Sequence, residues 1–417
     1  MSEEIINKLV PKLRFPEFME RNDWEEKNLG EIGEFVGGGT PDTTIPEYWD
    51  GEIEWFTPTE VKERNLKKSI RTITELGLKN SSAKLLPKGA LLITTRATIG
   101  DIGIATDMCT TNQGFQSLIV NNTEINTFWY FFLVQNKKEL IKRSSGSTFP
   151  EIGKNEIIKV KALRPSKQEQ QKIADCLSSL DDLISAQNQK LEALKTYKKG
   201  MVQQLFPAEG ETVPQLRFPE FRDSGDWIFT CLKDVFTIFQ GFAFSSDDSI
   251  NEGIRWLKIA DVSIQQMNHN APSFLPIDFT EKYKKFLVRK GDYVIALTRP
   301  ILSKELKVAK VDQVFDGSLL NQRVGKLITN NNIAFVYYLL QTSTLISIIE
   351  QKIAGNEPPN LSAQQIENIE IYIPTKPEQQ KIADCLSSLD EQISAQKEKI
   401  AALKQHKKGL MQGLFPG

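Results

Sequence analysis

Apolar residues recur along two stretches of this chain at steps of alternately four and three positions. In the first stretch they are Ile173, Leu177, Leu180, Ile184, Leu191 and Leu194, with Gln187 filling the remaining step. In the second they are Ile382, Leu386, Leu389, Ile393, Ile400 and Leu403, with Gln396 in the matching place. A period of 3.5 residues held for about three heptads predicts a coiled-coil seam, whereas a helix lying on a domain surface needs only the broader 3.6-residue stripe. Pro165 and Pro374 precede the two stretches, and Ser166 and Thr375 suit N-caps. Gly200 and Gly409, each after a Lys-Lys pair, suit C-terminal stops. These bounds predict helices of about 33 residues, roughly 50 Å long at 1.5 Å per residue.

The two stretches are copies of one another. Glu169–Asp181 reads EQQKIADCLSSLD, and Glu378–Asp390 repeats it letter for letter. The match continues without a gap to a shared LFP. Upstream, Pro11–Phe18 (PKLRFPEF) answers Pro214–Phe221 (PQLRFPEF). Between these pieces, residues 22–163 and 222–372 share length and a faint outline: Trp24 answers Trp227, Trp55 answers Trp256, Lys88-Gly89 answers Lys290-Gly291, and Asn112-Gln113 answers Asn321-Gln322. A period of about 200 residues is a whole domain plus a helix, far longer than a solenoid unit. A near-constant frame thus carries two divergent inserts.

Both seams must be buried, and they match in type and length. Connectivity favours an antiparallel pair with one insert at each end and a pseudo-two-fold axis. A Gln187–Gln396 layer would need a one-heptad shift or a parallel pairing, so the register stays open. Pairing between two separate chains is the alternative. Within the inserts, Ala90–Thr95, Gln116–Val120, Tyr293–Thr298 and Val324–Thr329 read as short buried strands. Thr127–Arg143 and Ile333–Gln351 read as helices, with the aromatic run Phe128–Phe132 as core rather than a stacking platform. The fold class is therefore α+β: two α+β domains separated by two long antiparallel coiled-coil helices. The segments are 1–163, with the first insert; 164–207, the central helix; 208–372, a linker and the second insert; and 373–417, the C-terminal helix.

The insert loops are rich in residues able to read base edges or hold phosphates. Arg can donate two hydrogen bonds to guanine, and Asn or Gln can pair with adenine; Ser, Thr and Lys suit phosphates. In the first insert the candidates for DNA contact are Thr40, Thr95, Arg96, Thr98, Asn112, Gln113, Gln116, Ser147 and Lys154. In the second they are Lys258, Thr298, Arg299, Asn321, Gln322, Arg323, Asn356 and Asn360. Arg96 and Arg299 follow matching strands. Turn conformation alone accounts for many Asn, Gly and Ser residues, and an ion pair is the plain alternative for each arginine.

Composition narrows the function. Hydrophobic residues make up 40% and charged residues 25% of the chain, an ordinary globular balance. The net charge of -1 argues against a tight free-standing DNA binder and for partners that supply part of the phosphate contact. The N-terminus MSEEIINKLV lacks a secretory pattern. The most apolar patch, Phe128–Val134, is far short of the roughly 20 residues a membrane span needs. A soluble, cytoplasmic protein without membrane contact is expected. Cys109, Cys176, Cys231 and Cys385 lie far apart, and the chain has only His269 and His406, so neither a metal site nor a disulfide framework is expected. No GxxxxGK[ST] loop, strand-borne G-x-G-x-x-G or NPP[YF]-type segment is present. No cofactor is expected, and a non-catalytic reader is favoured over a nuclease or methyltransferase.

The order RFPEF, Trp, variable insert, then P-x-x-x-E-Q-x-x-I-x-x-x-L-x-x-L-D, twice over, resembles the specificity subunits of type I restriction–modification systems. Glu169, Gln170, Ile173, Leu177, Leu180 and Asp181 carry the helical motif, and Glu378, Gln379, Ile382, Leu386, Leu389 and Asp390 repeat it. The resemblance implies two target-recognition domains that read the halves of a bipartite, asymmetric site in double-stranded DNA. It implies helices acting as a ruler for the gap, and two methyltransferase (modification) subunits docked on the constant regions. Restriction/translocase subunits would join in the full complex. A coiled-coil protein-interaction scaffold without DNA binding is the competing reading.

Overall fold

The structure, a computed structural model, describes residues 10–144, 150–354 and 359–416. The chain forms two compact units. The first takes the chain up to Asn188 together with its end from Glu398; the second is Gln189–Lys397. The long helices run Lys167–Leu205 and Lys376–Leu414, 39 residues each, roughly 58 Å at 1.5 Å per residue. Each therefore passes from one unit into the other, and each unit holds half of both.

Within each unit the halves pair antiparallel. In the first, Ile173, Ala174 and Leu177 share a core with Met411, Leu414 and Phe415, and Asp181 is ion-paired with Lys407. In the second, Ile382, Ala383, Leu386 and Leu389 share a core with Val202, Leu205 and Phe206, and Lys198 Nζ donates to Asp390 Oδ1 at 2.7 Å. These equivalent ion pairs fix the register left open by the seam. Ile184, Leu191, Ile393 and Ile400 are buried as predicted, while Leu180, Leu194 and Leu403 are only half-buried.

The helix ends differ from expectation. Ser166 Oγ does accept the Glu169 N–H, at 3.3 Å. Gly200 and Gly409, however, lie inside the helices, which continue to Leu205 and Leu414. A glycine costs about 1 kcal/mol in a helix interior. Burial of Val202, Leu205, Met411 and Leu414 outweighs that, since one fully buried aliphatic side chain contributes about 1.5–3 kcal/mol.

The repeated letters of the frame are explained by anchors that tie each insert to its helix. Arg14 donates to both Glu169 carboxylate oxygens, from Nε at 2.8 Å and Nη2 at 2.9 Å, and Trp24 Nε1 donates to the same carboxylate at 3.2 Å. Arg217 and Trp227 repeat this on Glu378 at 2.8, 2.8 and 3.3 Å. Glu17–Lys172 and Glu220–Lys381 match as well, both at 3.0 Å. Gln170 and Gln379 each accept a backbone N–H from the turn entering the insert helix, at Ile125 and Asn332.

Each unit also carries sheets. In the first, a five-stranded sheet runs in the order Gly33–Gly37, Gln116–Val120, Leu91–Ile93, Ile102–Ala105, Asn65–Leu66, beside a three-stranded one of Arg71–Ile73, Trp49–Phe56 and Cys109–Thr111. In the second, the four-stranded order is Thr237–Gln240, Val324–Ile328, Tyr293–Ala296, Val308–Lys310, and the three-stranded one is Phe274–Leu275, Ile254–Leu257, Leu319–Leu320. Both expected insert helices are broken: Asn126–Gln135 is followed by Lys137–Lys142, and Ile333–Leu339 by Ser343–Ile353. Asn136 Nδ2 donates to Phe132 O and interrupts the first. Thr342 starts a new turn in the second by accepting from Leu345 N. The aromatic run is core: Phe128, Trp129 and Phe131 are fully buried. Among the described residues no single helix is long and apolar enough to cross a membrane, although the bent pair Ile333–Leu339 and Ser343–Ile353 passes by length and composition.

Candidate nucleic-acid interface

Many of the sequence-predicted candidates among the described residues lie at one rim of each unit's larger sheet. In the first unit the antiparallel register pairs Gly37 with Gln116, and a bridge joins Thr94 to Phe115. Three chain segments therefore turn at one edge: the loop after Gly37, the turn after Ile93, and the loop before Gln116. Backbone bonds stitch them together, from Gly39 N to Thr111 O at 2.8 Å and from Thr95 N to Gly114 O at 2.8 Å. Asn112 Oδ1 accepts the Gly114 N–H at 2.8 Å and sets the loop. Thr40 Oγ1 donates to Gln113 Oε1 at 2.6 Å on the exposed side.

The second unit builds an equivalent rim, sharing Asn321-Gln322 and Thr298-Arg299 with Asn112-Gln113 and Thr95-Arg96 and otherwise different in sequence. Gln240 pairs with Gly325, and Ala296 with Val324. Phe242 N donates to Leu320 O and Leu297 N to Arg323 O, both at 2.9 Å. Asn321 Oδ1 accepts from Arg323 N at 3.0 Å, as Asn112 does from Gly114. Gln240 Nε2 donates to Gln322 O at 2.6 Å. Both loops need glycine where they cross backbone. A Cβ on Gly38 would lie 2.0 Å from Asn112 O, and one on Gly241 2.2 Å from Leu320 O.

The side chains divide into those offered and those engaged. Gln113, Gln322, Arg299, Arg323 and Asn360 are exposed. Thr95 is 1% exposed and packs inside the rim. Asn321 is buried at its cap, and Thr298 is half-buried and bridged to Asn360. Lys154 Nζ donates to Phe35 O at 2.6 Å. Lys258 Nζ sits 3.8 Å from the Trp256 ring centroid, next to the rim because Asn321 N donates to Leu257 O. Arg96 is ion-paired with Glu151 at 2.8 Å, the alternative foreseen for it. Among the described residues Thr98 Oγ1, Thr111 Oγ1 and Gln116 Oε1 are buried without a hydrogen-bond partner. Ser147 and Asn356 lie outside the described residues.

Sequence reasoning missed Glu151 as a partner and Arg14, Trp24, Arg217 and Trp227 as anchors. For the anchors the signal was available, since they are the identical letters of the repeat. Among the described residues no group of three or more His, Cys, Asp or Glu side chains is placed to hold a metal. Burial pushes the Cys109 thiol up to about 12, which leaves it protonated and unsuited to nucleophilic work at neutral pH.

Two rims of one construction, dressed with different side chains and hung on identical anchors, define a tandem protein with two non-equivalent surfaces. The chain belongs to the type I restriction modification DNA specificity domain family, whose sequence model matches residues 21–196 and 224–405. The type I restriction enzyme MjaIX specificity subunit of Methanocaldococcus jannaschii is 30% identical over 410 residues, 95% of this chain and 93% of that protein. The MjaVIII specificity subunit of the same organism is 26% identical over 97% of this chain and 94% of that protein. The crystal structure of the type I restriction–modification S subunit from M. genitalium shares the fold, with a TM-score of 0.57 at 15% identity over 98% of this chain and 99% of that one.

Proposed function

We propose that this chain is the non-catalytic DNA-specificity subunit of a type I restriction–modification complex. Its inserts, within 1–163 and 208–372, serve as target-recognition domains, each reading half of a bipartite, asymmetric site in double-stranded DNA. The central helix (164–207) and C-terminal helix (373–417) set the tolerated gap and, with the other repeated segments, dock two methyltransferase subunits. Restriction/translocase subunits join in the full complex, which works in the cytoplasm. The carrying observation is that equivalent anchors, Arg14–Glu169 and Arg217–Glu378, hold rims whose exposed residues differ.

The physics suits this division of labour. Exposed Arg, Asn and Gln at a rim can pair with base edges. A chain of net charge -1 leaves much of the phosphate neutralisation to its partners. Methylating a base inside a duplex requires flipping it out, work that falls to the methyltransferase subunits. The test is DNA retention by the methyltransferase subunits with and without this chain. Sequence-specific retention that appears only with the chain is expected. Retention unchanged by its addition overturns the reading in favour of a scaffold without DNA binding.

A further inference from the structure

The rims share a backbone plan and differ in charge. In the first, Arg96 is engaged by Glu151 at 2.8 Å. In the second, Arg299 and Arg323 are exposed, and among the described residues neither has a carboxylate within ion-pair distance. Their strands meet at this edge, because Leu297 N donates to Arg323 O at 2.9 Å.

Arg299 has a second peculiarity. Its φ is +47°, a left-handed conformation that L-residues other than Gly and Asn rarely adopt. The surroundings enforce it. Arg299 N donates to Pro359 O at 2.7 Å, Lys307 N donates to Pro300 O at 2.7 Å, and Thr298 is bridged to Asn360. The turn after the equivalent strand of the first rim also holds a non-glycine residue at positive φ, Ala97 at +58°, so the conformation belongs to the turn and fixes where the Arg299 side chain starts. Its charge is felt locally: burial first, and then the Arg299 guanidinium, hold the Lys307 ammonium below its ordinary range. A planar fork of N–H donors on a rim, with no carboxylate partner among the described residues, is the complement of guanine O6 and N7.

We propose that Arg299 is the residue by which the second domain selects guanine in its half of the target, an assignment that rests on the DNA-reading function proposed above. Arg96 has Glu151 against its Nε, a competing carboxylate that Arg299 lacks among the described residues. The expected signature is a G·C pair in one half-target whose discrimination depends on Arg299 alone.

The test is to co-express the full chain with its methyltransferase subunits in a host lacking this modification and to map the methylated motif. Wild type, Arg299→Lys, Arg299→Ala and Arg96→Ala are compared. The lysine variant keeps the charge but cannot present the fork, and it carries the test if the alanine variant fails to fold. Both Arg299 variants should relax one G·C position by about tenfold to hundredfold, leaving the other half of the motif intact. A synthetic site with 7-deazaguanine at that position should bind wild type as weakly as the natural site binds Arg299→Lys. A half-target without a G·C pair overturns the assignment. So do Arg299 variants that weaken all sequences equally, the mark of a phosphate contact. A wild-type chain that directs no bipartite motif at all overturns the function itself instead.

Discussion

Removing the Glu169 carboxylate should loosen the first unit and leave the second alone. That carboxylate is 2% exposed and accepts three hydrogen bonds, two from Arg14 and one from Trp24. In Glu169→Ala the guanidinium and the indole N–H lose their acceptor while remaining covered. Breaking a buried pair by deleting one partner costs about 3–5 kcal/mol. The low end applies, because Arg14 is 9% exposed and keeps backbone acceptors at Arg21 O and Asn22 O. About 3 kcal/mol raises the local opening constant by roughly two orders of magnitude. Hydrogen exchange on the intact chain reads this directly. Peptides spanning residues 10–24 and the start of the first long helix should lose about a hundredfold in protection, while those spanning 214–227 stay unchanged. Glu378→Ala should give the mirror image. In a double-mutant cycle, Arg14→Ala with Glu169→Ala should cost less than the two single changes added together. Strict additivity, or losses below tenfold in both units, would refute the anchor argument.

Other outcomes follow from the same geometry. Asp390→Ala removes the carboxylate partner of Lys198, whose side chain is 5% exposed, and one acceptor of the Tyr338 hydroxyl at 2.7 Å, leaving them Gln265 Oε1 and Ser387 Oγ; chemical denaturation should show a loss of about 2 kcal/mol. Asp181→Ala should cost less, since its partners Lys407 and Arg64 are 21% and 16% exposed, and equal losses would contradict the burial argument. Gly38→Ala and Gly241→Ala force the rim loops apart, at about 1–3 kcal/mol. Each should abolish recognition of one half-target with circular dichroism unchanged, and normal recognition would show that the close approach is dispensable. The Cys109 thiol, raised to about 12 by burial, stays protonated at pH 8, so mass spectrometry should find alkylation at the half-buried Cys176 and Cys231 long before Cys109. One heptad inserted after Ala186 and another after Ala395 lengthen each helix by about 10 Å. The tolerated gap should grow by about three base pairs; an unchanged target would remove the ruler role.

Much of the frame was legible because heptad spacing reports which positions must be buried. Ile173, Leu177, Ile382 and Leu386 are among the least exposed residues in the protein. Register was not legible, since it depends on Asp181–Lys407 and Lys198–Asp390, pairs between residues about two hundred positions apart whose letters look like ordinary surface charge. The same blindness made Gly200 and Gly409 read as stops. A local rule names them terminators, and only the core beyond them, with Phe206 and Phe415, says otherwise. In the rims, residue type could not tell offered groups from engaged ones. Arg96 and Arg299 follow matching strands, yet Glu151 lies 55 positions after the first and ties it down.

That the last stretch of the chain, from Glu398, belongs to the first unit governs how the protein is made. Leu13 N donates to Gly413 O at 2.8 Å, and Phe415 packs on Phe128 with ring centroids 5.5 Å apart. A ribosome adding roughly 5–20 residues per second needs on the order of ten to fifty seconds to reach that stretch after finishing Asn188. Throughout that interval the first unit is synthesised but incomplete, with Ile173 and Leu177 lacking their final cover. Its maturation therefore waits on the synthesis of that stretch, and a chain cut short before Glu398 has a first unit that lacks part of its core.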